Sequence, residues 1–579
     1  MGSELDRTAE SPALSTGRPS LPARVELVDP TGAISLAETM AGSQLLGTPG
    51  APPDSRDAAA RRGAVELLRE LERRAQRGER AAVIAGVREI MSARAELRAL
   101  ARGQYGVVVH AIASHGAEDL AAALDVGWAV LCASGPEDSF DLTLAARRAA
   151  EDSGVPFLIV HALADREAAT GHGVTMVTLP DDRACQLYLA RPVEVGDAGV
   201  SKSTPPPAPG GVERVPFALS SALRELGALT GRRHDMFDRA PMGEPHLVLV
   251  GVGAVGDALV QAIPELRMRG YDVGALHVWS MRPFPGPRLV KALSRALAVA
   301  VLEADAEPLS DGGALTRAVK VAFADALTWA PGYPGIGRIP KLFTGTVGAS
   351  FDLGHLASIC DNMLADGPRA FSPTDPDSSL PRAASAPGRA WSVRALFADE
   401  PTADASVDAV ARALLTSAGL KSHALVTRRG ADVVADVVAS REPARGTALR
   451  RPARLIVAQD ATLLSASTLS GLELGGVVAV AVEVGGASPL DALSEGARAM
   501  LRERRGRIVA LGAASGDRAA VAAAYAGATL AVAAHASRLS VTAADVDAAG
   551  PAARVAFEAA QEAVTVASRV RDAAQVPLA

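Results

Sequence analysis

The sequence predicts an α/β protein of three Rossmann-like parallel-sheet domains, and three observations carry that expectation. Short Val-rich runs alternate with helical patterns along most of the chain. The apolar fraction is 49% with only 3% aromatic, which suits Ala-rich helices packed on short buried strands. The length of 579 residues is about four times a single-domain length of ~150.

Taken in order, residues 1–22 are polar and lack the apolar core of a signal peptide, so a disordered tail is expected there. In the first block, Val107 to Val109, Ala129 to Cys132 and Phe157 to Val160 read as buried strands. Leu247 to Val250, Val273 to Val278 and Ala298 to Glu303 play that part in the second. In the third they are Leu455 to Ala458, Val477 to Val482 and Ile508 to Leu511. Pro- and Ser-rich stretches at Gly196 to Gly211 and Asp366 to Ser406 read as linkers. The expected division is therefore 23–195, 245–365 and 404–579, with linkers at 196–244 and 366–403.

Charge and cysteine usage exclude several classes. A net charge of −6 gives no reason to expect nucleic acid or an anionic membrane as partner. Residues 61–102 hold 11 arginines against 6 glutamates. Val65, Leu68, Leu71 and Ala75 recur there at helical spacing, so an amphipathic helix with internal ion pairs is expected rather than an RNA-binding patch. The uncharged run Ala519 to Ala534 is too short and too rich in Ala and Gly to span a bilayer, and reads as buried secondary structure in a cytoplasmic protein. Cys132, Cys185 and Cys360 are too few and too far apart for a cysteine-ligated iron–sulfur cluster or a disulfide framework. No metal site is expected: His110 and His115 are wrongly spaced for one helical face, and His161 and His172 stand alone in the sequence.

One local motif stands out. Gly251-Val-Gly253-Ala-Val-Gly256 directly follows a strand and opens a helix, the context of a dinucleotide fingerprint. The acid expected at the end of the next strand is missing, since Asp272 precedes that strand and His277 and Trp279 end it. A tight strand-to-helix turn is the plainer reading.

Several strings together resemble the pyruvate:ferredoxin (2-oxoacid:acceptor) oxidoreductase family. Leu229-Thr-Gly-Arg-Arg-His-Asp-Met-Phe237, Pro245 to Gly253 and Gly270 to Phe284, which closes on Arg-Pro-Phe, are similar to the family's transketolase C-terminal-like domain. Val299 to Pro308 and Phe343 to Met363 continue that pattern. Asp29-Pro-Thr-Gly-Ala33, Leu46-Gly-Thr-Pro49, Gly127 to Ser134 and Asp141 to Val160 resemble its pyrimidine-type thiamine domain. Arg454 to Leu464 and Leu472 to Val478 resemble its gamma domain. The resemblance covers nearly all of 23–579 and makes the three domains thiamine-enzyme-like.

The resemblance implies oxidative decarboxylation of a 2-oxoacid to acyl-CoA with thiamine diphosphate as the working cofactor. It puts Thr48 beside the 2-oxoacid. The glutamate that shares a proton with the pyrimidine should fall near Ala60 to Gly63, where Arg62 stands instead, and Glu66 one turn later is the candidate. The family's DRTKEP turn reads Glu303-Ala-Asp-Ala-Glu-Pro308. The metal-diphosphate domain and the clusters have no counterpart in this sequence. A hetero-oligomer is therefore expected, with a thiamine diphosphate- and metal-binding beta-type subunit and an iron–sulfur protein, ferredoxin or ferredoxin-like. Three functions stay open: an alpha/gamma-type subunit of such a complex, a non-catalytic paralogue serving it as scaffold or regulatory subunit, and a nicotinamide-dependent dehydrogenase using Gly251 to Gly256.

Overall fold

The computed structural model describes residues 24–47, 58–113, 117–162, 171–190, 211–232, 234–239, 243–304, 312–348, 351–375, 378, 380, 383, 391–418, 420–429, 432–440, 451–482, 490–491, 493–512, 518–537, 546, 553–558 and 561. Among these, no helix is long and apolar enough to cross a membrane.

The first stretch contributes β1 (Arg24–Val28), α1 (Pro30–Met40), β2 (Gln44–Leu46), α2 (Ala58–Gln76), β3 (Ala81–Gly86), α3 (Val87–Ser92), α4 (Arg94–Arg102) and β4 (Val108–Ala113). It continues through α5 (Ala117–Ala123), β5 (Ala129–Ala133), α6 (Pro136–Ser153), β6 (Phe157–Ala162), β7 (Gly171–Leu179), α7 (Asp182–Leu189) and α8 (Gly211–Thr230). Five of these strands form a parallel sheet in the order β5-β6-β4-β3-β2. The arginine-rich stretch behaves as its periodicity requires. Helix α2 buries Ala64, Leu68 and Leu71, while Glu70 pairs with Arg73 at 2.9 Å and Arg74 at 2.8 Å on the solvent side.

Helix α6 begins at Pro136, whose ring suits the first helical turn, and ends at Gly154 in the left-handed conformation (φ 70°). It packs against α1 and α8 as well as the sheet, so nearly every residue from Pro136 to Ala150 is buried.

The second stretch contains β8 (Phe237–Arg239), β9 (Leu247–Val252), α9 (Gly253–Met268), β10 (Val273–Val278), β11 (Ser280–Arg282), α10 (Gly286–Leu293) and β12 (Ala298–Glu303). After these come α11 (Ala314–Leu327), β13 (Lys341–Thr346), α12 (Leu353–Leu364) and β14 (Ala370–Phe371). Strands β14-β13-β12-β9-β10 are parallel and β8 closes the edge antiparallel. Strand β11 leaves this sheet and pairs antiparallel with β5 of the first, so one short strand stitches the two sheets together.

The third stretch holds β15 (Trp391–Phe397), α13 (Glu400–Ala418), β16 (Lys421–Arg429), β17 (Asp432–Ser440), β18 (Ala453–Ala458), α14 (Ala466–Ser470), β19 (Leu472–Val482), α15 (Glu495–Glu503), β20 (Arg507–Gly512) and α16 (Arg518–Ser537). The uncharged run Ala519 to Ala534 lies within α16. The eight-stranded sheet runs β1-β7-β16-β17-β15-β18-β19-β20. It is mixed rather than parallel: β15, β18, β19 and β20 run parallel, and the β1, β7, β16 and β17 half is antiparallel.

These sheets depart from the expected boundaries in three places. Strand β15 lies inside 366–403 yet is central to the third sheet, because Ser392 to Phe397, buried at every position but the half-buried Arg394, closes a Pro- and Ser-rich window. Helix α8 and β8 lie inside 196–244. Strands β1 and β7, from the first block, complete the third sheet, with β7 pairing β16 from Thr175↔His423 to Gly171↔Thr427. At that seam Thr175 Oγ1 contacts His423 Nδ1, and burial pushes the His423 imidazole down to about 4.

The Gly251 to Gly256 turn is explained by close packing. A Cβ on Gly256 would sit 2.3 Å from His277 Cδ2 and 2.7 Å from Gly251 O, and one on Gly251 would meet the Gly256 backbone at 2.9 Å. Gly253 has φ 56°, a conformation that costs L-residues.

Two outcomes are expected. Gly256→Ala should lose about 1–3 kcal/mol by overpacking, read as a lower urea midpoint at unchanged slope. For His423 the folded value lies below the ordinary 6.5, so its contribution is complete above pH 6.5 and falls away as pH drops toward 4. His423→Phe, which removes the buried imidazole, should flatten the stability–pH curve in that window, measured by urea titration at successive pH values.

Candidate functional site

Six polar residues of α6, namely Glu137, Asp138, Ser139, Asp141, Thr143 and Arg147, are at most 1% exposed. Charged groups are seldom buried without partners, and here the surrounding elements supply two sets of them.

The first set lies between the parallel sheet and α1. Arg147 Nη2 donates to both oxygens of Glu38 at 2.8 and 3.0 Å, to Ser43 Oγ at 3.2 Å and to the Ala81 carbonyl at 3.0 Å. His110 Nε2 is 3.0 Å from Glu38 Oε1, its Nδ1 is 3.0 Å from His161 Nε2, and His161 Nδ1 is 2.8 Å from Ser139 Oγ. Burial alone would raise the Glu38 carboxyl, but Arg147 and His110 overcome it and hold it at about 2. Burial, and then the neighbouring His110, push His161 well below its ordinary value.

The second set joins α6 to the chain leaving α8. Asp141 accepts from Arg232 Nε and Nη2 at 2.7 and 2.5 Å and is 2.6 Å from His234 Nε2. Burial opposes ionisation of Asp141, yet Arg232 and His234 hold it well below the carboxylate range. Asp138 accepts from Trp279 Nε1 at 3.1 Å and from Ser134 Oγ. Trp279 stacks obliquely on His234 and His277, with ring centroids 4.8 and 5.0 Å away. Its carbonyl accepts from Cys132 N at 2.8 Å, just ahead of β11. Both clusters are thus built across element boundaries.

The residues proposed from sequence stand apart from these clusters. Glu66 is exposed on α2, and Thr48 lies outside the described residues, as does the side chain of Arg62. Glu303 plays a structural part, accepting from Leu315 N at 2.8 Å and from Thr316 N and Oγ1 at 3.0 and 2.6 Å. It therefore fills the amide cradle at the start of α11 that an anion could otherwise use. Among the described residues, no group of three or more His, Cys, Asp or Glu side chains is placed to hold a metal ion.

Residues 105–216 match the thiamine-diphosphate-binding domain of pyruvate flavodoxin/ferredoxin oxidoreductase. Residues 246–335 match core domain II of pyruvate:ferredoxin oxidoreductase. Two stretches of the chain are thus similar to domains of pyruvate:ferredoxin oxidoreductases. It is 25% identical over 220 residues to the pyruvate synthase subunit PorA of Methanothermobacter thermautotrophicus, covering 36% of this chain and 57% of PorA. It is 30% identical over 156 residues to a pyruvate-flavodoxin oxidoreductase of Enterobacter agglomerans, covering 27% of this chain and 13% of that enzyme. The chain thus spans a little over half of the one curated relative and a small part of the other. A solved 2-oxoglutarate:ferredoxin oxidoreductase from Magnetococcus marinus aligns over 59% of this chain and 66% of its own at 12% identity, with a TM-score of 0.41.

His161 is not the isolated residue its sequence context suggested. On the parallel strands β4 and β6, Ile112 pairs with His161, so His110, two residues back, shares its face. Only that register joins residues 51 apart. Glu38, Arg147 and Asp141 were also missed, although several polar residues inside the otherwise apolar Pro136 to Ser153 were a signal. Arg232 and His234 fell within the quoted Leu229 to Phe237 string, but nothing there named Asp141 as their partner.

Asp141→Asn should leave Arg232 buried without its counter-charge and cost about 3–5 kcal/mol, measured by urea denaturation at pH 7. Because Glu38 and Asp141 are lowered on folding, the stability they contribute is complete above the ordinary carboxylate values. It is lost as pH falls from 4.5 toward 2 in the case of Glu38. Urea midpoints between pH 5 and 2.5 should fall steeply, and less steeply in Asp141→Asn.

Proposed function

We propose that this chain is an alpha/gamma-type subunit of a 2-oxoacid (pyruvate):ferredoxin oxidoreductase complex. The observation that carries this reading is the junction of its two family-matched stretches: residues 105–216 and 246–335 supply the central strands of two sheets, β4, β5 and β6 of one and β9, β10 and β12 of the other, joined by β11. On this reading a beta-type partner subunit supplies the metal-diphosphate half of the cofactor site. An iron–sulfur protein, ferredoxin or ferredoxin-like, takes the electrons, and CoA takes the acyl group.

Thiamine diphosphate fits such a shared site. Glu66 is an exposed carboxylate on α2, free to face a group held against a second chain. When bound, thiamine diphosphate would supply a nucleophilic C2 carbon and an electron sink for decarboxylation. In this chain Glu66 would hold a proton at the pyrimidine N1′ and Thr48 would orient the 2-oxoacid, while the buried α6 clusters would keep the sheet rigid behind them.

The test is to purify the tagged chain with its native partners and titrate thiamine diphosphate by calorimetry. Stoichiometric binding is expected with partners and none without them. Glu66→Gln and Thr48→Ala should each lower 2-oxoacid decarboxylation at least ~100-fold with the complex intact. Stoichiometric partners without thiamine binding would leave the chain a scaffold or regulatory subunit and overturn the catalytic reading. NAD binding by the chain alone would overturn both.

A further inference from the structure

The core of the first sheet holds a chain of groups that the proposed reaction does not use. Ser139, His161, His110 and Glu38 follow one another at 2.8, 3.0 and 3.0 Å, and each is at most 1% exposed. Glu38, ionised against Arg147, can only accept. His110 must therefore donate through Nε2, and whenever the ring carries a single proton its Nδ1 is an acceptor. His161 then donates through Nε2 and accepts at Nδ1, and Ser139 is the donor at the far end. One ionised carboxylate thus sets the direction of every bond.

A single added proton reverses that direction. Ser139 Oγ takes up the incoming proton and passes its own to His161 Nδ1. His161 gives its Nε2 proton to His110 Nδ1. One proton is gained in total, His110 becomes the imidazolium beside Glu38, and Ser139 ends as an acceptor.

We propose that Ser139, His161, His110 and Glu38 form a one-proton switch, which in its neutral form clamps the first turn of α6 and the α1–β2 corner to the sheet and on protonation loosens them. The charges facing the pair give the reason. Glu38 on α1 and Arg147 on α6 cancel, so the neutral cluster carries no net charge. Ser43 at the corner and the Ala81 carbonyl of β3 are bound to the Arg147 guanidinium. Further toward the start of α6, Glu137, Asp138 and Asp141 face Trp279, Arg232 and His234. An imidazolium makes Glu38 serve two cations in a dry interior. The weakened contact is its pair with Arg147, which also holds the corner.

The full-length chain, labelled with ¹⁵N-histidine, tests this directly. At pH 8 both rings should be neutral with the proton on Nε2. On acidification, amide hydrogen exchange at Ser43 to Leu46 and Ser139 to Thr143 should rise with the same midpoint as the imidazole signals. Glu38→Gln should lower that midpoint by about one pH unit or more, and Arg147→Met should raise it by a similar amount. Should either charge variant fail to fold, Ser139→Ala keeps every charge and must retain both Nε2–H tautomers. A proton on Nδ1 of neutral His110 or His161, exchange that ignores the titration, or charge variants that move the midpoint in one direction would each overturn the proposal.

Discussion

Two buried guanidinium groups, Arg147 and Arg232, allow a helix carrying several acidic and polar side chains to lie in the interior. An isolated ionised carboxylate there is costly, and removing one partner of such a pair leaves the other charge uncompensated. Arg147 ties α6 to α1, the α1–β2 corner and β3. Arg232 ties the same helix to the segment that enters the second sheet and to the Thr178 carbonyl of β7. The position of α6 against the first sheet, and the approach of the second sheet to it, both depend on these pairs.

The second consequence is architectural. With α6 held, Asp138 meets the Trp279 indole and β11 lies down on the edge of β5. Residues 171–179 leave the first block and join β16, so the third sheet is anchored through the same region. Neighbouring domains that could have moved independently on linkers instead share a strand at β11 and a sheet at β7. The exposed face of α2 is then presented from a stiff support.

Much of the fold was legible because parallel sheets write themselves into sequence as short apolar runs bounded by turns. Val273–Val278 and Ala298–Glu303 form strands with the bounds read from their residues. The boundaries were less legible: Trp391–Phe397 was absorbed into a linker by composition, and β1, β7, β16 and β17, the antiparallel half of the third sheet, were not read as strands. The glycine turn shows the opposite limit. Its spacing is visible in sequence, whereas the contact that requires Gly256, the ring of His277 on the next strand, is visible only in space.

By itself the sequence determined the α/β class, the core strands of each block and the family resemblance, because these depend on local periodicity and on contiguous strings. Tertiary structure alone decided that His110 meets His161 across 51 residues, that Glu38 meets Arg147 across 109 and that Arg232 meets Asp141 across 91. The physical reason is that a buried charge is stabilised by whichever opposite charge the fold brings within hydrogen-bonding reach. That pairing depends on strand register and helix packing, which no local pattern encodes.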